Sequence, residues 1–386
     1  MTTPRAAQRI GDIAPFHVMD ILARAQALEA AGRDIIHLEI GEPDFATPAP
    51  IVEAGVAALR AGQTHYTGAL GMPVLRQAIA DFHAARWHTA VDPERILVAT
   101  GASGALMLTL GLLAGPGDEI LMADPGYPCN RHLARFCEAR ARGIPVGAHT
   151  GFQLTLESLL PHATAATRAV LIGSPANPTG TSIPPDELAR IHDWCTTHGI
   201  ALIVDEIYLA LTYEGDEYTA ARWDDVFVVN SFSKYFLMTG WRLGWLAAPT
   251  WALPGLERLA QNLFLAPPTP SQHAALAAFA PATIAELEAR KAELRARRDF
   301  LLPALRTRGF SVPTTPGGAF YLYADCSAHT ADSFQFAHTL LETAGIAVAP
   351  GIDFGNHQAR RYLRMAYTQP LPRLAEAIER LDGFLG

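Results

Sequence analysis

Lysine is nearly missing from this chain. Of its 30 basic residues only Lys234 and Lys291 are lysines, and the rest are arginines. Guanidinium groups, which stay charged and do not attack carbonyl carbon, therefore carry almost all the positive charge. Cysteine is scarce too. Cys129, Cys137, Cys195 and Cys326 lie far apart without metal-ligand spacing. That pattern excludes a disulfide framework and reads as reduced thiols in a cytoplasmic protein with no metal site. No stretch approaches the roughly 18 uninterrupted apolar residues of a membrane span, and the first twenty residues lack the apolar centre of a signal peptide. The net charge is −8, with no basic run or basic–aromatic stripe. Neither nucleic acid nor membrane is an expected partner. A G-x-G-x-x-G loop is also absent: in "TGASGALM" (100–107) Gly101 and Gly104 stand three apart, which argues against a dehydrogenase.

What is present is a chain of 386 residues, 49% apolar and 18% charged, long enough for two compact domains. From about 96 to 248 short β-rich runs alternate with helical stretches. "RILVAT" (95–100), "ILMAD" (120–124), "RAVLIGS" (168–174), "IALIVDEIY" (200–208) and "DVFVVNSF" (225–232) read as strands. "PPDELARIHDWCTTHG" reads as a helix with proline at its start and glycine at its end. Such alternation predicts a mainly parallel sheet covered on both faces. Beyond about 270 the character changes to a long charged helix (284–306), "AFYLYAD", a helix, "IAVAP", "YLRMAYT" and a final helix, a smaller α+β unit. An N-terminal helix near 18–31 and "DIIHLEIGEPDF" are expected to pack with it. The division expected is an arm over 1–45, a large domain over 46–283 and a small one over 284–386.

Lys291 sits in "EARKAELRARRDF" and reads as a surface lysine of a charged helix, whereas Lys234 lies among Ser, Phe and Tyr just past a strand. Two other strand ends carry Asn177 in "SPANPTG" and Asp205 in "VDEIY". Ligands of open α/β sheets bind at such carboxyl ends. Each residue alone has a plain alternative, Asn177 as a turn residue and Asp205 as a solvated strand-end charge. Three strand ends offering an amide, a carboxylate with a phenol, and a lysine with hydroxyls and Arg242 make one site the better reading. The run into "TGASG" also leaves helix N-terminal N–H groups free for a phosphate.

"NPTG", "DEIY" and "SFSKYFLMTGWRLGW" at these distances resemble the class I aminotransferases of pyridoxal phosphate fold type I. So do "GEPDF" (41–45), "HYTGALGMPVLRQAI" (65–79), "DPGYP" (124–128), "PGGAFYLYAD" (316–325), "APGIDFG" (349–355) and "RYLRMAYT" (361–368). The overall pattern is similar to the branch with bacterial aspartate, alanine and aromatic aminotransferases. The resemblance implies a three-layer α/β large domain and a small α+β domain. It also implies transfer of an amino group from an L-amino acid to a 2-oxo acid, such as 2-oxoglutarate or pyruvate, through pyridoxal 5'-phosphate. Lys234 would form the imine with the cofactor and move the proton at the substrate Cα. Asp205 would pair the ring nitrogen, and Asn177 and Tyr208 the phenolic oxygen, with Tyr127 stacked on the ring. Gly101, Ala102, Ser103, Ser231, Ser233 and Arg242 would hold the phosphate, joined by Tyr66 from the other subunit of a homodimer. Arg364 would clamp the α-carboxylate, helped by Gly41 and Asn177. No lysine lies near Ser103, where aspartate-preferring relatives place one, so a small or apolar donor weighs equally. "FHV" (16–18) would line the pocket entrance. A C–S β-lyase is the alternative within the same fold. A cofactor-binding regulator is less expected, because residues 1–40 are too short for a DNA-binding domain.

Overall fold

The computed structural model describes residues 4–386. Its strands are β1 (Ile36–His37), β2 (Ile96–Ala99), β3 (Glu119–Asp124), β4 (Arg140–Pro145), β5 (Thr167–Gly173) and β6 (Ala201–Asp205). They continue with β7 (Phe227–Ser231), β8 (Gly244–Ala247), β9 (Tyr321–Asp325), β10 (Ile346–Ala347), β11 (Ala349–Pro350) and β12 (Tyr362–Ala366). Seven of them form one sheet in the order β2-β8-β7-β6-β5-β3-β4. Its neighbours are parallel except at β8, which runs antiparallel to β2 and β7.

The central strands are apolar on both faces because both faces are covered. Along β6 and β7, Leu202, Val204 and Val228 enter one core cluster, while Ile203, Phe227 and Val229 enter the other. The second cluster is closed by the helices Gly101–Leu113 and Leu253–Leu263, through Ala105, Leu108, Leu256 and Ala260. This is the three-layer α/β arrangement that the alternating runs predict.

β9, β11 and β12 form a separate antiparallel sheet, with Arg364 of β12 opposite Tyr323 and Ala349. β1 pairs in parallel with β10, Ile36 facing Ile346. The chain then runs on along β12, where the Ala366 N–H donates to the Leu38 carbonyl at 2.7 Å. The N-terminal segment that carries Gly41 is thereby fixed beside the strand that carries Arg364.

Three details depart from the sequence reading. The run "IALIVDEIY" is a strand only to Asp205, for the Glu206 N–H bonds the Val229 carbonyl and the chain then turns, Leu209 N–H closing on the Glu206 carbonyl at 2.9 Å. β4 and β8 were not anticipated. β4 is an edge strand whose residues are mostly part-exposed, so it shows no apolar run, and β8 is only four residues long. Lys291 is not a surface lysine. Its side chain is 14% exposed and its Nζ donates to Glu217 at 2.7 Å, because the helix Pro281–Arg306 lays this face against the helix Pro73–Trp87 and the 214–218 loop.

Candidate active site

A cavity of about 390 Å³ lies at the carboxyl ends of β3, β5 and β6, bordered by the N-terminus of the helix Gly101–Leu113 and by the segment after β7. The topology alone puts the three strand-end groups together, since β5, β6 and β7 are parallel neighbours in register, with Gly173 opposite Asp205 and Asp205 opposite Val229.

Asp205 ends β6 as a buried carboxylate. Its Oδ1 accepts the Ile207 N–H at 3.1 Å, and among the described residues no cationic side chain is within ion-pair distance. Burial pushes its pKa up to about 6, against the opposing pull of that N–H and of Lys234. Lys234 is half-buried. Its Nζ donates to the Gly41 carbonyl at 2.7 Å and lies 5.8 Å from the centre of the Phe320 ring. Burial lowers its pKa to about 8. Arg364 and Arg242 act in the same direction, and Glu42 and Asp205 act against it. Gly41 is at closest approach here: a Cβ would stand 2.0 Å from the Tyr321 hydroxyl, so no side chain fits.

Arg364 is 2% exposed and sandwiched by rings, its guanidinium 4.4 Å from the centre of Tyr321 and 4.8 Å from that of Phe354. Nη1 donates to Asn177 Oδ1 at 3.1 Å and Nη2 to the Glu39 carbonyl. Nε is buried without a partner. Glu39 is itself wholly buried and paired with His37, Nδ1 to Oε1 2.7 Å, which raises the imidazole pKa to about 9. Tyr208 and Tyr321 share a hydrogen bond at 2.9 Å, and Tyr127 lines the cavity with its phenol pKa raised by burial.

On the phosphate side suggested by sequence, Ala102, Ser103, Ser233 and Arg242 border the cavity. First-turn N–H groups of a helix have no carbonyl within that helix, so Ala102 and Ser103 offer donors. Gly101 does not line the cavity. It holds φ at +75°, and a Cβ there would meet Arg242 Nη2 at 2.8 Å, so a larger residue is excluded on both counts. Ser231 stands one layer behind. Its hydroxyl lies 2.9 Å from Ser233 Oγ and 3.0 Å from the Leu243 carbonyl. Tyr66 is 81% exposed and lies outside its own chain's cavity. Of "FHV", Phe16 and Val18 line the cavity but His17 turns away, edge-on to Phe334 at 5.1 Å and bonded to Asp20.

Several lining residues escaped the sequence reading: Glu42, Asn130, Arg131, Tyr321 and Phe354. Tyr321 and Phe354 fall within segments that had drawn notice, but nothing in their spacing set them apart. A polar cluster behind the lysine segment escaped it as well. The Tyr235 hydroxyl donates to Glu288 at 2.5 Å, and Arg86 bridges Glu288 and Glu217 at 2.7 Å each. Trp87 Nε1 and Lys291 Nζ complete the shell of Glu217, each at 2.7 Å. Further along the same helix, Arg297 grips Asp44 at 2.6 Å and the Thr368 carbonyl at 2.5 Å. One helix thus braces the residue after Lys234, the loop of Gly41 and the strand end beyond Arg364.

Comparison with known proteins identifies the family. The family described as "Aminotransferase class I and II" matches residues 33–381. The chain is 40% identical to a valine–pyruvate aminotransferase of Mycobacterium tuberculosis, with 99% of each covered. It is 36% identical to a (5-formylfuran-3-yl)methyl phosphate transaminase of Methanocaldococcus jannaschii, covering 98% of this chain and 99% of that one. A crystal structure of an aminotransferase from Mycobacterium tuberculosis superposes with a TM-score of 0.95 at 40% identity, with 99% of each chain covered.

Proposed function

The chain belongs to the class I and II aminotransferases, and from that premise we propose that Lys234 is the lysine through which it moves an amino group from an L-amino acid to a 2-oxo acid. The observation that carries the reading is a single cavity holding an amine with lowered pKa, a buried carboxylate without a cation, and a buried guanidinium with a free N–H.

The cofactor of the family is pyridoxal 5'-phosphate, which when bound supplies an electron sink for the bonds at the amino-acid Cα. The residues fit it. Asp205, desolvated and lacking a cation, suits a protonated ring nitrogen, whose charge would hold it ionised. Ala102 and Ser103 N–H groups, Ser233 and Arg242 suit a phosphate. Tyr208 and Asn177 suit the phenolic oxygen, and Tyr127 the ring face. Ser231 and Gly101 act one step back, by orienting Ser233 and by letting Arg242 approach.

Lys234 does two things. With a pKa near 8 a useful share of the amine is neutral at physiological pH and can attack an aldehyde. The same group can take and return a proton at Cα, close to the pH where general acid–base exchange works best. Arg364 receives the α-carboxylate. Its stacked rings and the bonds to Asn177 and Glu39 hold the guanidinium in place before substrate arrives, and Nε is left to donate. Gly41 adds a backbone group beside it. The apolar wall of Phe16, Val18 and Ile40 supports a small or apolar donor, as does similarity to an enzyme named for valine and pyruvate.

We also propose a homodimer in which the partner subunit's Tyr66 completes the phosphate site. Its support is the exposure of this tyrosine, together with Val52, Val56 and Leu59 on the helix Ala49–Arg60. The division into an arm (1–45), a large domain (46–283) and a small domain (284–386) belongs to the same proposal, supported by the separate sheets. Residence in the cytoplasm is supported by four free cysteines.

The test is a panel of amino donors with pyruvate and the cofactor-loaded protein. Alanine and the donor's own 2-oxo acid should appear in equal amounts. Release of ammonia and pyruvate from a single amino acid, without exchange, overturns the proposal.

A further inference from the structure

We infer that Asp353 is a positioning residue for substrate choice, the anchor of the apolar wall that selects branched apolar donors over alanine. The inference rests on the aminotransferase reading and deepens it by naming what holds the selecting surface in place.

The starting point is a helix that does not cap itself. The helix His17–Ala30 begins after Phe16, and its opening N–H groups have no carbonyl within the helix. A serine, threonine, aspartate or asparagine at the N-cap would accept one of them. Phe16 cannot, since its side chain carries no acceptor. Asp353, in the turn after β11, does this from 336 residues beyond His17. Its Oδ1 accepts the His17 N–H and its Oδ2 the Val18 N–H, at 2.8 Å each. A carboxylate also suits the positive end of the helix dipole. Asp353 is 2% exposed, so water has little access to these two bonds. Phe16, Val18 and Met19, the residues fixed by them, are those with which this helix faces the cavity.

The anchor is itself held firmly. Its carbonyl accepts Arg131 Nη2 at 2.5 Å, the one side-chain hydrogen bond of that arginine among the described residues. The Phe354 carbonyl accepts the Gly126 N–H at 2.8 Å. Asp124 accepts the N–H groups of Asn356 and His357 at 3.0 and 3.2 Å. A Cβ at Gly355 would overlap the Asp124 carboxylate, so the two segments meet at closest approach. Both acids near Arg131, Asp124 and Asp353, are thus engaged by backbone N–H groups. The turn over 351–357 is bound in this way to the segment 124–131, which also carries Tyr127.

The next residue in the turn decides what the anchor means for substrate. Phe354 packs its ring on the guanidinium of Arg364, 4.8 Å from centre to charge. Consecutive residues therefore hold the wall and the clamp for the α-carboxylate, and set the distance between them. A donor with its carboxylate on Arg364 gains from the wall in proportion to the apolar side chain it places there. Valine has two more carbons than alanine to place against Phe16 and Val18. A plain helix cap, by contrast, would affect stability and leave the choice of donor alone.

The experiment mixes the cofactor-loaded protein with valine or with alanine, and follows the visible absorption of the bound cofactor through one turnover. The wild type should favour valine. In Asp353→Ala the valine-to-alanine ratio of second-order rate constants should fall by roughly 10-fold, the worth of two further buried carbons. For valine the fall should come from a higher half-saturating concentration, with the limiting rate kept within about two-fold. Asp353→Asn retains one acceptor and the shape. It should give an intermediate ratio, and it keeps the test open if the alanine variant does not fold. Phe16→Ala leaves the anchor intact and should lower the same ratio. Combined with Asp353→Ala it should lower it no further, because both act through one wall. Amide hydrogen exchange over 16–21 should quicken in Asp353→Ala, while exchange over the helix Gly101–Leu113 stays as it was. A wild type with no preference for valine overturns the inference and leaves the aminotransferase reading intact. Equal losses for both donors, or losses that multiply in the double variant, overturn it as well. Absence of reaction with every amino acid tried defeats the underlying reading instead.

Discussion

The two lysines of this chain are both withdrawn from bulk water, and they live in opposite electrostatic company. Lys291 is held against Glu217, which also receives Arg86 and Trp87. Lys234 has no carboxylate in contact and rests its ammonium on a carbonyl oxygen; burial depresses its pKa, Arg364 and Arg242 add to the effect, and Glu42 and Asp205 oppose it. A lysine held in an ion pair is fixed in place, whereas one desolvated without a carboxylate in contact gives up its proton more readily. On the proposed reading, the difference separates a lysine that braces from a lysine that reacts. The two are joined, since Glu217 holds Arg86 and Arg86 holds the hydroxyl of Tyr235, next in the chain to Lys234.

Lys234→Arg is the severest test of that contrast, for it keeps the charge and removes the chemistry. Transfer should fall by at least about 10⁴-fold, and the visible absorption of a lysine-bound cofactor should be lost, with far-ultraviolet circular dichroism unchanged. Glu217→Ala should do the reverse. It strips Arg86 and Lys291 of their shared anion and should cost about 3 kcal/mol in denaturant unfolding, while the absorption band survives.

Asp205 sharpens the comparison from the acid side. Burial raises its pKa from an ordinary 3.8 to about 6. The native state therefore holds a proton that the unfolded chain has released between those values. On this group's account the cofactor-free protein loses stability as pH rises from about 4 to about 6, by something on the order of 2 kcal/mol. Asp205→Asn should remove that slope in thermal melts and raise the neutral-pH Tm of the empty protein, at the expense of cofactor affinity. A wild-type melt with no such slope, or an identical one in the variant, contradicts the burial argument. The smallest effect belongs to Lys291→Arg. A guanidinium can keep the bond to Glu217, so stability should stay within about 0.5 kcal/mol and activity near wild type.

Much of the candidate site is legible in the sequence. Asn177, Asp205 and Lys234 each follow an apolar β-rich run, and parallel strands gather such ends at one edge. Arg364 was legible only through its resemblance, because a single arginine in a strand carries no sign of which face it takes. Arg131 was illegible for the opposite reason: with arginine used for nearly every charge, one more in a helix stands out only when its neighbours are seen to be engaged elsewhere. His17 and Phe16 show the limit at the pocket entrance. Adjacent residues at a helix start point in different directions, and only packing against Phe334 decided which one faces the cavity.

By itself the sequence determined the fold class, the main alternation of strands and helices without β4 and β8, and the one lysine with no charged residue beside it in the chain, because periodicity and residue chemistry are local properties. Which charges find partners is not local. Lys291 and Glu217 lie far apart in sequence, as do Arg131 and Asp353, and pairing across such separations is set by which helix faces are pressed together. The tertiary structure alone could therefore turn an apparent surface lysine into a part-buried brace and leave Arg131, an unremarked arginine, with donors to spare.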